Sequence, residues 1–243
     1  MFEDYKIFFD NYVKQFDMDT WGVSLKYKHT YRVVFKCEQI AKSLSLSKKD
    51  IELAKIIGLF HDIGRFPQYQ KYNSFSDRNI DHAILGVQVL KEHNVLENHK
   101  DKDLILKAVL NHSGYQIEKG LSDREVLFCN LIRDADKLDI WELLIEGKNE
   151  AVQYDGYYEK EAIETLLSGK PLEIIKYSRK MDRSLVYLGM FFDLNFPYSK
   201  EYVTKHHILD GMIDRYIYIN SMEKDSFMKI KDVIIERLWE YVR

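Results

Sequence analysis

Apolar residues recur at intervals of three and four along most of this chain, a period that matches one face of an α-helix. Phe2, Tyr5, Phe9, Tyr12, Val13 and Phe16 describe a first amphipathic helix. A second runs from about His29 to Leu44 with Val33, Cys37, Ile40 and Leu44 turned inward. Ser47 with Asp50 then caps a third that reaches Phe60, and Gly64 is a natural stop. From Gly64 to Arg78 the period lapses into Pro67, Asn73, Ser74 and Ser76, which describes a surface loop rich in Tyr, Lys and Arg. Further helices are expected at roughly 79–93, 102–112, 122–145, 159–168, 182–194, 200–220 and 224–242. Ser122 and Glu125 form a capping box, Gly169-Lys170-Pro171 marks a break, and no segment reads as a strand. With only 3 prolines in 243 residues, these helices run uninterrupted. The expectation is a single all-α domain over residues 1–243, with a helical bundle over about 20–145 and a C-terminal helical cap over about 155–243. The stretch Tyr154-Asp155-Gly156-Tyr157-Tyr158 reads as a linker or loop between them.

Charge and cysteine content narrow the setting. A net charge of −3 without a basic block predicts no general attraction to nucleic acid or to an anionic membrane. No stretch approaches the roughly 20 apolar residues of a spanning helix, and the start lacks a basic segment followed by an apolar run. The 2 cysteines, Cys37 and Cys129, lie far apart among apolar helical neighbours, so buried thiols in a reducing cytoplasm are expected. Apolar faces on the C-terminal helices are compatible with a homo-oligomer, but periodicity does not separate a subunit interface from an internal one.

Several apolar ladders are interrupted by a polar residue where a hydrophobic one would ordinarily sit. His61 continues the stripe of Leu53 and Ile57, while Asp62 continues Ala54 and Gly58, whose small side chains leave room beside a carboxylate. His29 precedes Val33 and Cys37; His82 precedes Leu85, Gly86 and Val89; His112 follows Ile105, Ala108 and Val109; Asp136 lies between Ile132 and Ile140. An unpaired carboxylate in a core costs several kcal/mol, so a cation or a dense hydrogen-bond set is expected to accompany it. Convergence of these groups on one point is the economical explanation. Imidazole nitrogens mixed with carboxylate oxygens suit one or two divalent transition metal ions (Mn, Fe, Ni, Co or Zn) better than magnesium or calcium. His93, His99, His206 and His207 lack such company and are expected to have other roles.

The order His29, His61-Asp62, Asp136 resembles the HD-domain superfamily of metal-dependent phosphohydrolases, which places a first His, a later His-Asp pair and a final Asp on successive helices. The phrases Lys28-His29-Thr30-Tyr31-Arg32-Val33, His61-Asp62-Ile63-Gly64-Arg65-Phe66 and Asp134-Ala135-Asp136-Lys137-Leu138-Asp139 are similar to that family's motifs over roughly residues 20–145. The resemblance implies an HD-domain-like helical bundle in which His29, His61, Asp62 and Asp136 ligate a first metal. It also implies that Asp62 bridges to a second where further histidines are present, positions matched by His82 and His112. Asp139, three residues beyond Asp136, is a candidate to orient a ligand, whereas Asp134 is expected to be structural or exposed. No His-His-Glu run and no Gly-Tyr-Pro is present, so the chain does not look like a cyclic-di-guanylate phosphodiesterase. Arg65, Phe66, Pro67 and Gln68 stand where the linear signalling-nucleotide hydrolases carry an acidic pair. The small bacterial HD phosphohydrolases remain.

The function that follows is hydrolysis of a phosphate ester or anhydride in a nucleotide-like small molecule by metal-activated water. Asp62, His82, His112, Arg65 and Lys137 are the candidate catalytic residues; His82 and His112 either bind a second metal or act as a general acid and phosphate contacts. Arg65 and Lys137 are placed to contact phosphate oxygens, with Arg32, Lys71 and Arg78 as weaker candidates. Tyr157, Tyr158, Tyr187, Phe191, Phe192 and Phe196 either stack on a nucleobase or fill a core. Two alternatives stand beside this reading. One is an HD-type di-iron oxygenase with the same ligands, and the other is a metal-containing module that senses a nucleotide.

Overall fold

The computed structural model describes residues 1–147, 158–173, 182–219 and 224–239, and among them every regular element is helical. In chain order the α-helices are α1 (Phe2–Val13), α2 (Trp21–Ser43), α3 (Lys48–Phe60), α4 (Arg65–Tyr72), α5 (His82–Glu92), α6 (Lys102–Asn111) and α7 (Asp123–Ile145). There follow α8 (Lys160–Leu167), α9 (Asp182–Gly189), α10 (Pro197–Lys205), α11 (Ile208–Ile219) and α12 (Lys224–Trp239), with a 3-10 helix, Met190–Asp193, after α9. No described helix is long and apolar enough to cross a membrane. The chain divides into two compact units, Met1–Asp136 and Lys137–Arg243, the change falling within α7.

Local chemistry explains where the helices of the first unit begin. The Ser47 hydroxyl accepts the Asp50 N–H at the start of α3, and the Asp81 carboxylate accepts those of Ala83 and Ile84 at the start of α5. Ser122 and Glu125 close the expected capping box ahead of α7. α3 packs along α2, and Gly58 sets how closely: a Cβ there would stand 3.0 Å from Cys37 Sγ and 3.2 Å from Val34 Cα. That approach brings the ladder of His29 beside the ladder that ends in His61. Both cysteines are free and buried, and burial raises the Cys129 thiol to about 11, as suits structural thiols.

Two expected boundaries are corrected. Residues 64–78 are not a continuous loop, because Arg65–Tyr72 form α4, which buries Phe66 and Gln68 and ends in left-handed Asn73. Its inward groups include a glutamine, so no apolar ladder announces it. Gly64 therefore precedes a helix and does not close one. The single helix expected over 200–220 is two, α10 and α11, because His207 adopts a positive φ of 52° between them.

The second unit has its own core, in which Leu138, Trp141, Leu166, Leu188, Met212, Phe227 and Ile230 are buried. Trp141 and Phe191 stack with ring centroids 4.0 Å apart, and the Trp141 indole N–H donates to the Tyr187 carbonyl at 3.0 Å. Tyr158 and Phe191 are buried in this core and Tyr187 and Phe192 pack against it, so these four aromatics fill space. Tyr157 and most of the expected linker, residues 154–157, lie outside the described residues.

One contact fixes α4 against α5. A Cβ on Gly64 would lie 2.2 Å from the His82 carbonyl oxygen and 2.5 Å from the Gly86 nitrogen, both backbone atoms. Gly64→Ala is expected to destabilise the chain by about 1–3 kcal/mol, the usual cost of overpacking. Urea denaturation should show a lower midpoint at an unchanged slope; an unchanged midpoint would contradict the close approach.

Candidate metal centre

All six groups singled out as metal ligands lie in the first unit and converge. They fall into two sets, His29 with His61 and Asp136, and Asp62 with His82 and His112, and in each set the ligand atoms lie within 4.8 Å of one another. His29 comes from α2, His61 and Asp62 from the turn that continues α3, His82 from the first residue of α5, His112 from the end of α6 and Asp136 from α7.

Asp62 joins the two sets. Its Oδ2 lies 3.4 Å from His29 Nε2 and 3.5 Å from His61 Nε2, while its Oδ1 lies 3.3 Å from His82 Nε2 and 3.5 Å from His112 Nε2. Asp136 Oδ1 is 3.0 Å from His29 Nε2 and 3.6 Å from His61 Nε2. The four histidines and Asp62 are almost wholly shielded from solvent.

The hydrogen bonds behind the rings decide which nitrogens face inward as donors. His61 Nδ1–H donates to the Gly58 carbonyl at 2.7 Å and His112 Nδ1–H to the Val109 carbonyl at 2.7 Å. His82 Nδ1–H donates to Asp77 Oδ1 at 2.7 Å. A carbonyl or carboxylate oxygen only accepts, so each of these rings, when neutral, carries a bare lone pair on Nε2. Yet His82 Nε2 and His112 Nε2 stand 3.0 Å apart, and His61 Nε2 and His29 Nε2 stand 3.3 Å apart. The facing lone pairs of His82 and His112 repel at 3.0 Å unless a cation or proton lies between them. Nitrogens each about 2.0–2.1 Å from one ion, at right or tetrahedral angles, would stand about 2.8–3.4 Å apart. Asp136 Oδ1 adds a carboxylate oxygen that faces the Nε2 atoms of His29 and His61. The residues therefore fit a metal in each set on donor type and spacing, with the tautomers of His61, His82 and His112 set for it.

Protonation agrees with that use. Burial, and after it the Arg65 guanidinium, pushes His82 down to about 4, which keeps it a neutral donor. Burial would raise Asp62, but the Lys26 ammonium and His61 outweigh it and hold the carboxylate well below its usual range. Asp136 is likewise held down against burial, by His29 and His61. His61 moves the other way, its burial outweighed by Asp62 and Asp136, so its protonated form is favoured when no other cation is present.

The remaining candidates have different surroundings from those expected. Arg65 does not stand ready for a phosphate: its guanidinium donates to Gln68 Oε1 at 2.9 Å, the Phe75 carbonyl at 2.7 Å and Asp77 Oδ1 at 3.0 Å. Its Nε lies 3.5 Å from Asp62 Oδ1, so it holds Asp77 and faces the Asp62 carboxylate. Lys137 is buried in the second unit, where its ammonium donates to the carbonyl and carboxylate of Asp193, which argues against the phosphate contact expected of it. Arg32 is half-buried on α2, Lys71 and Arg78 are exposed, and Asp134 and Asp139 are fully buried. His93 packs against Phe8 and Tyr12, His99 against Tyr5, and His206 against Tyr202.

Three residues beside the site went unnoticed in the sequence. Lys26 Nζ donates to Asp62 Oδ2 at 2.6 Å; its signal was its place three residues before His29 on the same helix face. Asp77 sits five residues before His82 in what read as loop and left no periodic signal. Arg133 is buried and donates to the carbonyls of Asn111, Gly114 and Tyr115, which fastens the turn after His112.

Among known families, the model described as the HD domain matches residues 27–141, a span that includes all six ligand candidates. No curated protein and no solved structure matches the chain.

The Asp77–His82 pair generates two expectations. Asp77→Asn should weaken metal binding by roughly 10–100-fold, the usual cost of losing a carboxylate behind a histidine ligand; calorimetric affinities within twofold of wild type would contradict the role. In metal-free protein the His82 ring should stay neutral down to about pH 4, against an ordinary 6.5, when followed by imidazole nitrogen shifts. Because the unfolded chain binds that proton first, His82 contributes stability above pH 6.5 that is lost as pH falls through this window. Arg65→Gln should move the titration upward, and an unmoved midpoint would reject the guanidinium as a cause.

Proposed function

Because this chain belongs to the HD-domain superfamily through residues 27–141, a family of metal-dependent hydrolases, we propose that it is a phosphohydrolase acting on a nucleotide-like small molecule. The observation that carries the reading is Asp62, whose two oxygens each face a separate pair of imidazole nitrogens. A carboxylate so placed is suited to bridge two ions, with His29, His61 and Asp136 completing one set and His82 and His112 the other. When bound, divalent ions supply Lewis acidity that lowers the pKa of water and offsets negative charge on phosphoryl oxygens.

The chain's own groups prepare for that chemistry. Asp77, Gly58 and Val109 hold the Nδ1 protons of His82, His61 and His112, so each Nε2 is kept as a donor and each ring is kept in place. Burial of all four rings limits bulk water and preserves the strength of charge interactions within the site. Arg65 and Lys26 flank Asp62 on opposite oxygens and balance a carboxylate that would otherwise be costly to bury.

The proposal predicts manganese-supported phosphate release from a panel of phosphomonoesters, phosphodiesters and nucleoside triphosphates, running equally well without oxygen. Asp62→Ala, checked for retained helicity, should lower the rate by on the order of a hundredfold or more, since several kcal/mol of charge stabilisation are removed. Unchanged turnover in that variant would reject the site. Oxygen consumption in place of phosphate release would favour the di-iron alternative, and nucleotide binding without either reaction would favour a sensor.

A further inference from the structure

Lys26 stands between the bridging carboxylate and an aromatic group at the N-terminal end of α2. Its ammonium donates to Asp62 Oδ2 at 2.6 Å, lies 5.4 Å from the centroid of the Phe75 ring, and keeps 15% of its side chain in contact with solvent. An ammonium has three donors, and Asp62 accepts one of them. Phe75 packs against Tyr69 at 4.8 Å between centroids and against Trp21 at 6.3 Å, and its carbonyl is fastened by Arg65. Tyr69 lies over Gly22, where a Cβ would meet the ring at 2.4 Å, so α2 is shaped to receive it. Trp21, at the edge of the group, is 44% exposed. An indole left this open beside two other rings and a cation is a surface with chemistry for a flat ligand that carries negative charge.

The charge balance of the centre points the same way. With the imidazoles neutral, as metal ligands must be, Asp62, Asp136 and Asp77 against Lys26 and Arg65 leave one net negative charge, and a single divalent ion reverses that sign. A loaded centre with Lys26 at its edge therefore attracts an anion. We propose that Lys26 and the wall of Trp21, Tyr69 and Phe75 form the subsite that selects the substrate, with Lys26 taking a phosphoryl oxygen and the rings stacking on a nucleobase. This assigns to Lys26 the phosphate contact that the sequence suggested for Arg65 and Lys137. It rests on the phosphohydrolase reading for the chemistry that follows binding, but binding itself can be measured separately.

The test is calorimetric titration of the manganese-loaded full chain with adenosine monophosphate, adenosine and inorganic phosphate, with metal content measured for each variant. Lys26→Met should weaken adenosine monophosphate and phosphate by roughly tenfold or more, the worth of a charge-assisted hydrogen bond, and leave adenosine unchanged. Lys26→Arg should restore most of that loss. Trp21→Ala should weaken adenosine and its monophosphate by about tenfold and leave phosphate unchanged, as expected for lost base stacking. Affinities for the nucleotide within twofold of wild type in both Lys26→Met and Trp21→Ala would overturn the subsite. So would metal loss in Lys26→Met together with a silent Trp21→Ala, which would make Lys26 a positioning residue for Asp62. Phosphate release with neither variant impaired would reject the subsite and keep hydrolysis. Nucleotide binding through these residues without phosphate release would keep the subsite and reject hydrolysis.

Discussion

A carboxylate buried among four imidazoles is the constraint on which the first unit of this protein depends. Asp62 is nearly inaccessible, and each of its oxygens faces two Nε2 atoms at 3.3–3.5 Å. Burying an ionised carboxylate costs several kcal/mol unless cations or donors surround it. Here Lys26 and Arg65 approach it directly, but the imidazoles offer lone pairs wherever their Nδ1 protons are already committed to oxygen acceptors. Such a set is poorly satisfied by itself and well satisfied around positive ions. The energetic weakness of these groups by themselves and their aptness for metal are the same property.

The helices serve that arrangement through close approaches and caps. Gly58 lets α3 lie against α2, which sets His61 beside His29, and Gly64 lets the start of α4 lie against the backbone of α5 at His82. Asp81 caps α5 at the residue before His82, so the ligand is held at a helix terminus whose first N–H groups are satisfied. Arg65 links these pieces, because it faces Asp62 and also grips Asp77, which in turn holds the His82 ring. A change at Asp77 therefore acts on the centre by way of His82, and a change at Arg65 acts on both His82 and Asp62.

Much of this was legible in the sequence, for a physical reason. Each ligand candidate replaces an apolar residue in a helical ladder, so the pattern that reveals the core also reveals the polar groups placed inside it. The convergence of His29, His61, Asp62, His82, His112 and Asp136 follows from six such interruptions, on five expected helices, pointing inward. Groups that support the centre from irregular backbone carry no period, and Asp77 was invisible for that reason. Lys26 sits in the right ladder, yet a lysine on a helix ordinarily reads as a solvated charge, and only the 2.6 Å contact to Asp62 reveals otherwise. α4 was hidden because Gln68 takes an inward position that a hydrophobic residue would have marked. The break at His207 depends on one left-handed residue, a conformation that local composition did not signal. The proposed subsite depends on how Trp21, Tyr69 and Phe75 come together from α2, α4 and the segment after it, a juxtaposition that periodicity does not encode.

The central claim is that one carboxylate, Asp62, serves two ions. Metal counting at equilibrium on protein prepared without chelator, for wild type and His82→Ala side by side, tests it most directly. The account predicts close to two ions per chain for the wild type and close to one for the variant, in which the set of Asp62, His82 and His112 is broken. A stoichiometry of one that His82→Ala leaves unchanged would contradict it.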